Sequence, residues 1–310
     1  MSGYQYLFGP VPSRRLGASL GVSPIPERTC NYSCVYCQLG RTLRMTNTRQ
    51  EFFPLEEILA EFREYLQGSI PFDVVTVVGE GEPTLYSRLG ELIAGLKKET
   101  DKPVAVITNG ALLYDAELRR ELMEADIVLP SLDAVTEEQY RKIDRPMGSI
   151  GFTEMAEGLR QFAREYQGQL WIEIMLVDGM NDSPEDIAAF KEFLGTIDYD
   201  RVYLNTPVRP PAEGFVHTSA PERIDLAARE LGGISIDQLT SGSFFSEVED
   251  PYEAILSIAR RHPMNQFEVE SFLEAREIPA DQRQALMERL GQDPGITVVP
   301  YKGIITYRVN

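Results

Sequence analysis

Short apolar runs alternate with amphipathic stretches from residue 16 to about residue 231. The apolar runs predict strands, and the stretches between them predict helices. The run at 74–78, Val-Val-Thr-Val-Val, has no polar alternation, which is typical of a strand buried on both faces of a parallel sheet. Residues 183–186, Ser-Pro-Glu-Asp, have the order of cap, proline and acids that begins a helix. The alternation therefore predicts a parallel α/β sheet, either a barrel or an open partial barrel.

The predicted elements have definite bounds. The six predicted strands are 16–22, 74–78, 104–108, 127–132, 170–177 and 202–205. The predicted helices between them are 55–67, 89–98, 116–124, 153–166 and 184–194. Six strand–helix units imply right-handed crossover connections throughout.

The alternation ends after about residue 231, and the character of the sequence changes from about residue 250. The Gly232-Gly233 pair interrupts the alternation, and the segment 238–248, with Ser, Gly and Phe, has the composition of a linker. Helical stretches at 252–261, 265–276 and 280–290 follow, and two apolar runs around Lys302-Gly303 predict a hairpin. We predict two domains, 1–235 and 236–310. The second is a winged-helix-like α+β module or a small packing unit that closes one side of the sheet.

Charge and hydropathy restrict where the chain acts. Its 310 residues include 30 basic and 48 acidic side chains, a formal net charge of −18. Such a surface repels phosphate backbones and anionic lipid, so a nucleic-acid substrate would need a local basic patch. No run of 18 apolar residues and no signal-peptide core is present. We therefore expect a cytoplasmic protein without a membrane partner.

All three cysteines of the chain, Cys30, Cys34 and Cys37, lie within eight residues. A disulfide-stabilised protein would have more cysteines, spread along the chain. Soft thiolates at this spacing indicate a metal site. The cysteines follow the first predicted strand, at the carboxyl end of a parallel sheet, where such folds place their active sites.

The number of ligands distinguishes the metals that such a site holds. A structural zinc needs four ligands, and the two histidines of the chain, His217 and His262, are far away in the sequence. Zinc would therefore need one of them or a carboxylate. A [4Fe–4S] cluster held by three cysteines leaves one iron open, which suits catalysis. We expect no chemical role for either histidine.

The spacing Cys-x3-Cys-x2-Cys, with the aromatic Tyr36 before the third cysteine, resembles the radical S-adenosylmethionine (SAM) superfamily. Three further segments agree with it: Gly-Glu-Gly-Glu-Pro-Thr at 79–84, Val-Ile-Thr-Asn-Gly at 106–110 and Leu-Pro-Ser-Leu-Asp at 129–133. The resemblance covers roughly residues 16–206. It implies a partial (β/α)6 barrel, followed here by the C-terminal module.

The resemblance also implies a mechanism. Cys30, Cys34 and Cys37 would be the metal ligands and catalytic residues, each binding one iron of a [4Fe–4S] cluster whose fourth iron chelates SAM. A reductant such as flavodoxin or ferredoxin would supply one electron. SAM would then be cleaved to methionine and a 5′-deoxyadenosyl radical, which takes a hydrogen atom from the substrate.

Residues around the second strand end are candidate contacts of SAM, each with a structural alternative. Gly81 permits a close approach of the backbone, and backbone oxygens around Glu80 and Glu82 would accept hydrogen bonds from the SAM ammonium. The dipeptide Glu82-Pro83 is also typical of a helix start. Tyr36 would pack near the adenine or shield the cluster.

Later strand ends supply further candidates. Ser131 and Asp133 alternate on one face and would bind the ribose, although Asp133 is also typical of a turn cap. Glu173 lies in an apolar strand and needs a partner, either a ribose or an arginine such as Arg145. The complete set of candidate SAM contacts is Tyr36, Glu80, Gly81, Glu82, Pro83, Asn109, Ser131, Asp133, Arg145, Glu173 and Asn205.

Within the superfamily the chain is most similar to the wyosine-synthase-like branch, which acts on tRNA. Three segments carry the likeness: Pro-Val-Pro-Ser-Arg-Arg-Leu-Gly at 10–17, Cys-Val-Tyr-Cys-Gln-Leu-Gly at 34–40 and Gly-Glu-Gly-Glu-Pro at 79–83. The chain lacks the upstream cysteines of that enzyme's second cluster, and its charge does not suit tRNA. Arg14, Arg15 and Arg28 form a basic spot that would hold a phosphate or carboxylate, or pair with acids.

The sequence leaves the substrate open. A tRNA base is one possibility, and a peptide or protein is another, including the partner of a glycyl-radical activase. A peptide would be bound by strand addition at the edge of the hairpin. An iron–sulfur DNA-binding regulator is a third possibility. Residues 250–310 carry seven basic and nine acidic side chains, which disfavours binding in a DNA groove.

Overall fold

The computed structural model describes residues 4–148, 150–236, 244–246 and 248–310. Its strands are β1 (Leu7–Ser13), β2 (Gly17–Val22), β3 (Thr29–Cys30), β4 (Arg44–Met45), β5 (Val74–Val77), β6 (Val104–Thr108), β7 (Ile127–Pro130), β8 (Gln169–Met175), β9 (Arg201–Asn205), β10 (Ile234–Ser235), β11 (Met264–Asn265), β12 (Ile296–Tyr301) and β13 (Ile304–Val309). Its α-helices are α1 (Leu55–Tyr65), α2 (Leu89–Glu99), α3 (Ala116–Leu122), α4 (Glu137–Ile143), α5 (Phe152–Glu165), α6 (Pro184–Leu194), α7 (Pro221–Leu231), α8 (Pro251–Ala259), α9 (Gln266–Ala275) and α10 (Ala280–Gln292). A 3₁₀ turn spans Pro83–Leu85.

Eight strands form one sheet in the order β1-β2-β5-β6-β7-β8-β9-β10. Strand β2 and strands β5 to β9 are parallel and coincide with the six predicted strands. Because β1 and β10 are the two edges of this sheet, it is an open partial barrel. The predicted α/β partial-barrel class is confirmed.

Apolar periodicity explains why these elements form. Every residue of β5 is buried, as its unbroken apolar run predicts. Helix α1 buries Leu55, Ile58, Phe62 and Tyr65, which recur on one face and join the core between sheet and helices. Helix α6 begins at the predicted residue, where the Ser183 side chain and the third residue of the helix complete a capping box.

Strand β1 is a departure from the predicted elements. It pairs antiparallel with β2, although Pro10 and Pro12 within it argue against a strand. An edge strand tolerates proline because one of its sides needs no backbone donor. Helix α4 and helix α7 also lie outside the predicted helices. Pro221 at the start of α7 carries the same signal as Pro184 of α6.

The C-terminal residues form a separate α+β unit. Strands β11, β13 and β12 make an antiparallel sheet, and the predicted hairpin is present as β12 and β13. Tyr252, Ile255, Phe272 and Leu273 belong to a core distinct from that of the barrel. The predicted linker 238–248 falls largely outside the described residues. The winged-helix-like classification and the division at residue 235 stay predictions.

No helix in the described ranges has the length and apolar character needed to cross a membrane.

Candidate active site

A half-open cavity of about 420 Å³ lies at the carboxyl ends of the parallel strands. Eight of the predicted site residues line it: Cys30, Cys34, Tyr36, Cys37, Glu80, Gly81, Glu173 and Asn205. The other predicted residues lie outside its lining: Glu82, Pro83, Asn109, Ser131, Asp133 and Arg145. The sheet therefore brings the cysteines and two strand-end polar residues to one space, as parallel topology requires.

The three cysteines are free thiols of intermediate exposure. The Tyr32 backbone N–H donates to Cys30 Sγ at 3.4 Å, and Asn109 Nδ2 donates to the same sulfur at 3.6 Å. Burial raises the pKa of all three thiols. At Cys37 this rise is opposed by backbone N–H groups and then by the charge of Arg308. Hydrogen-bond donors and a nearby cation favour the thiolate, which is the form that binds metal.

The donor set fits an iron–sulfur cluster. Thiolate is the ligand that holds such clusters, and all three cysteines line the same cavity. Three soft ligands facing one cavity, with room beside them, match a cluster that has an open iron.

Gly81 is required by a contact that the sequence did not reveal. A Cβ at this position would lie 1.7 Å from the backbone oxygen of Thr29, the residue before Cys30. The neighbouring Glu82 N–H donates to that oxygen at 3.1 Å, and the Arg28 N–H donates to the Glu80 oxygen at 2.5 Å. The loop at 79–82 therefore lies directly against the cysteine segment and fixes where it begins.

Glu82 is a structural cap at the end of this loop. Its carboxylate accepts hydrogen bonds from Thr84 N and Oγ1 (3.0 and 2.6 Å), Thr108 Oγ1 (2.6 Å) and Asn109 N (2.8 Å). Pro83 occupies the first position of the 3₁₀ turn that follows. Burial raises the pKa of Glu82, and these four donors oppose the rise. The carboxylate thus ties the end of β5 to the end of β6.

Asp133 holds Tyr36 in the cavity wall. One carboxylate oxygen accepts from Met175 N at 2.7 Å, and the other accepts a short hydrogen bond from the Tyr36 hydroxyl. Burial raises the pKa of Asp133 to about 6, against these two hydrogen bonds. Both oxygens of Asp133 are thus occupied by protein donors. The backbone of Ser131, just after the end of β7, pairs with that of Glu173 in an isolated parallel β-bridge.

Of the two partners considered for Glu173, a ribose or an arginine such as Arg145, the choice of Arg145 is wrong. Glu173 forms an ion pair with Arg15 inside the cavity and accepts from Asn205 Nδ2 at 3.3 Å. Arg145 instead bonds to Glu213 at 2.5 Å, and Arg41 bonds to the same carboxylate at 2.9 Å. Nothing in the local spacing of the sequence fixes which acid such distant arginines meet.

Glu213 and its two arginine partners hold the cysteine loop, residues 30–41, from the side away from the cavity. Arg41 is the last residue of that loop, and the Glu213 N–H donates to Val35 O at 3.0 Å. Hydrogen bonds from Arg41 and Arg145 lower the pKa of Glu213 to about 2. One carboxylate therefore joins three segments around the cysteines.

The C-terminal unit supplies part of the cavity wall through residues that the sequence analysis did not identify. Phe244, Arg261, His262 and Glu268 all line the cavity. Arg261 forms an ion pair with Glu80 at 3.4 Å and lies 5.3 Å from the centre of the Phe8 ring. His262, for which we expected no chemical role, is therefore in the cavity. No pattern along the sequence reports how a terminal unit docks.

Comparison with known proteins agrees with this geometry. The family model of the Radical SAM superfamily matches residues 25–191. The UPF0026 protein of Methanocaldococcus jannaschii is 32% identical over 314 residues, covering 98% of this chain and 95% of that protein. The GTPase Obg of Brachyspira hyodysenteriae is 43% identical over 203 residues, covering 66% of this chain. This chain spans only 30% of that relative's length.

Solved structures show the same fold. A radical SAM methyltransferase from Sphaerobacter thermophilus aligns with a TM-score of 0.53 and 17% identity, over 71% of this chain and 68% of that one. A structure described as native anSMEcpe with bound AdoMet aligns with a TM-score of 0.52 and 18% identity, over 69% and 59%. With a family model that covers more than half of its residues, this chain belongs to the radical SAM superfamily.

Proposed function

We propose that this chain is a [4Fe–4S] enzyme that cleaves SAM reductively and abstracts a hydrogen atom from its substrate. The observation that carries the proposal is the convergence of Cys30, Cys34 and Cys37 on one cavity beside polar strand-end residues. When bound, the cluster supplies the electron that converts SAM to methionine and a 5′-deoxyadenosyl radical. A flavodoxin or ferredoxin as electron donor is part of the proposal.

Residues of the chain position the two cofactors. The three cysteines hold the cluster, and the loop at 79–82 lies against the cysteine segment through Gly81. Glu173 and Asn205, bonded to each other at 3.3 Å, face the same cavity and offer polar groups to the SAM ribose. Tyr36, held by Asp133, forms a rigid aromatic wall beside the cysteines.

Solvent exclusion is shared between the barrel and the C-terminal unit. The Phe245 N–H donates to Pro10 O at 3.1 Å, and the Tyr301 hydroxyl donates to Pro207 O at 2.7 Å. These contacts hold the C-terminal unit against the edge strand β1 and the loop after β9. A reactive radical survives only where water and side reactions are kept out. We therefore assign this unit a direct part in the reaction chamber.

The tRNA-modifying and peptide-modifying alternatives differ in the charge that their substrates bring. The cavity wall is rich in arginine, which favours a substrate that carries phosphate or carboxylate groups. A neutral peptide segment has no anionic group for these arginines to bind. Similarity to the wyosine-synthase-like branch stays a prediction.

Anaerobic reconstitution tests the proposal. We expect about four iron and four sulfide per chain, and loss of this iron in Cys30→Ala, Cys34→Ala and Cys37→Ala. Leu43→Ala is the matched control, because Leu43 follows the cysteine loop and its side chain is 69% exposed. Stoichiometric zinc without iron uptake would refute the assignment.

Product analysis tests the chemistry separately. Reduced, reconstituted protein should convert SAM to methionine and 5′-deoxyadenosine, measured by liquid chromatography with mass spectrometry. The cysteine variants should form neither product, and Leu43→Ala should match the wild type. A fully loaded protein that leaves SAM intact under strong reduction would show that the cluster does not serve this reaction.

A further inference from the structure

The cavity carries a local excess of positive charge in a strongly acidic protein. Among the described residues, five arginines and three glutamates line it, while the whole chain has a net charge of −18. The arginines are Arg14, Arg15, Arg28, Arg209 and Arg261, and the glutamates are Glu80, Glu173 and Glu268. A concave site of one sign concentrates ligands of the other.

Each of the three glutamates already has an arginine partner. Glu80 pairs with Arg261 at 3.4 Å, and Glu173 pairs with Arg15. Glu268 receives Arg209 through both of its oxygens, at 2.9 and 3.0 Å. Arg28 also lines the cavity and is not part of these three pairs. Glu27, which is exposed, lies 3.2 Å from Nε of Arg28, but in the described part of the chain this buried nitrogen makes no hydrogen bond.

His262 adds no charge to this wall. It is half-buried, and Arg209 donates to its Nε2 at 2.5 Å. Burial and the charges of Arg209, Arg14 and Arg15 lower its pKa well below the ordinary value. The imidazole is therefore neutral, and the positive excess comes from guanidinium groups alone.

A sixth arginine reaches the cysteine loop from the C-terminal unit. Arg308, on β13, places Nη1 3.7 Å from the position of a Cβ on Gly40, and Arg28 places Nη1 3.8 Å from the same point. In the described ranges, Nη1 of Arg308 is buried without a hydrogen-bond partner. Burial and then the charge of Arg28 lower the pKa of Arg308, as expected for two converging cations. A buried, unsatisfied guanidinium nitrogen is costly unless a ligand meets it.

The cofactors of the proposed function do not supply the missing anion. A [4Fe–4S] core held by three thiolates is an anion, and SAM with its sulfonium is a cation, so their charges largely cancel. We propose that Arg28 and Arg308 bind a phosphate group of the substrate, which reaches the cavity along the Gly40 edge. Guanidinium forks match phosphate oxygens in geometry and charge. This inference rests on the proposed function for the positions of the cofactors.

The phosphate has two sources, a free nucleotide or the backbone of an RNA. Binding is measured on cluster-loaded protein with saturating SAM and without reductant, so that no turnover is needed. The probes are inorganic phosphate, guanosine 5′-monophosphate, a short single-stranded RNA and, as the uncharged comparison, guanosine. We expect the phosphate-bearing probes to bind at least tenfold more tightly than guanosine. A nucleotide source predicts the monophosphate as the tightest probe, and an RNA source predicts the oligomer.

Charge-matched variants locate the site. Arg308→Gln and Arg28→Gln, each compared at the iron content of the wild type, should weaken phosphate-probe binding about tenfold or more. Arg164→Gln is the control, because Arg164 is 62% exposed on α5 and its loss changes the net charge equally. Equal weakening in all three variants would reduce the effect to overall charge and overturn the proposal.

Further outcomes separate this inference from its alternatives. Competition between phosphate and SAM would assign the arginines to the SAM carboxylate and overturn it. A shifted cluster midpoint potential in Arg308→Gln, with unchanged phosphate binding, would assign Arg308 to the cluster charge instead and also overturn it. Failure of the proposed function is distinguishable, because it appears in the wild type, before any probe is added, as missing iron or as SAM left intact by the reduced protein.

Discussion

Replacing Gly81 with alanine tests how the loop at 79–82 positions the cysteines. The added Cβ would lie 1.7 Å from Thr29 O and 2.7 Å from its carbonyl carbon, both backbone atoms. Real Cβ contacts are not shorter than 3.0 Å, so the Thr29 carbonyl must move by more than about 1 Å. Because Cys30 is the next residue, its sulfur moves as well.

The cost follows from the contacts that this movement disturbs. Overpacking of a tight site costs about 1–3 kcal/mol. The hydrogen bond from Glu82 N to Thr29 O, 3.1 Å long, is stretched or lost, which adds about 1–2 kcal/mol for a buried donor. We expect Gly81→Ala to lower the free energy of unfolding by about 2–5 kcal/mol, a large share of the stability of a typical domain.

Chemical denaturation and iron analysis measure the two effects. Gly81→Ala should unfold at a lower urea midpoint and should take up less iron than the wild type. Gly291→Ala is the matched control, since a Cβ there meets nothing within 4 Å and alanine favours the helix α10. A Gly81→Ala protein within about 0.5 kcal/mol of the wild type, with full iron content, would refute this account of the loop.

Three further predictions test other parts of the molecule. Glu82→Gln places an amide NH₂ group among four hydrogen-bond donors and should lower the free energy of unfolding by about 2–4 kcal/mol. An unchanged urea midpoint would contradict the role of Glu82 as a structural cap. Because the pKa of Glu213 is lowered to about 2, its contribution is present above the unfolded pKa of about 4.3 and is lost as pH falls through 2. Glu213→Gln should lower the free energy of unfolding by about 1 kcal/mol at pH 7. It should also make the Tm fall less steeply between pH 4 and pH 2, and a Tm that falls as in the wild type would argue against this. A chain ending at residue 248 should stay soluble and bind iron, since Phe272 and Leu273 pack in the C-terminal core and Phe267 is exposed; an insoluble product would contradict the domain division.

Local patterns predicted the elements whose stabilisation is local or repetitive. The all-apolar run of β5 and the cap at Ser183 specify their structures through burial and hydrogen bonding within a few residues. Strand β1 was not predictable in this way, because its two prolines are acceptable only at an edge. Whether a strand lies at an edge depends on the whole sheet.

The same distinction between local and long-range interactions applies to the candidate site. Spacing predicted that Cys30, Cys34 and Cys37 belong together, since eight residues of chain allow few other arrangements. It did not predict that Glu173 meets Arg15 and Arg145 meets Glu213. These pairs join residues far apart in the chain, and several arginines of equal chemistry compete for each acid. Only the packing of the strand ends decides between them.

The C-terminal unit shows why a separate core does not imply a separate function. Its apolar residues pack among themselves, so composition describes it as an appendage. Two of its charged residues, however, form ion pairs with residues of the barrel: Arg261 with buried Glu80, and Glu268 with Arg209. Replacing one partner in the full chain would leave a buried charge without compensation, which costs several kcal/mol, whereas removing the whole unit would open Glu80 and Arg209 to water. The barrel therefore depends on this unit for the electrostatic balance of its cavity, although it does not depend on it for its core.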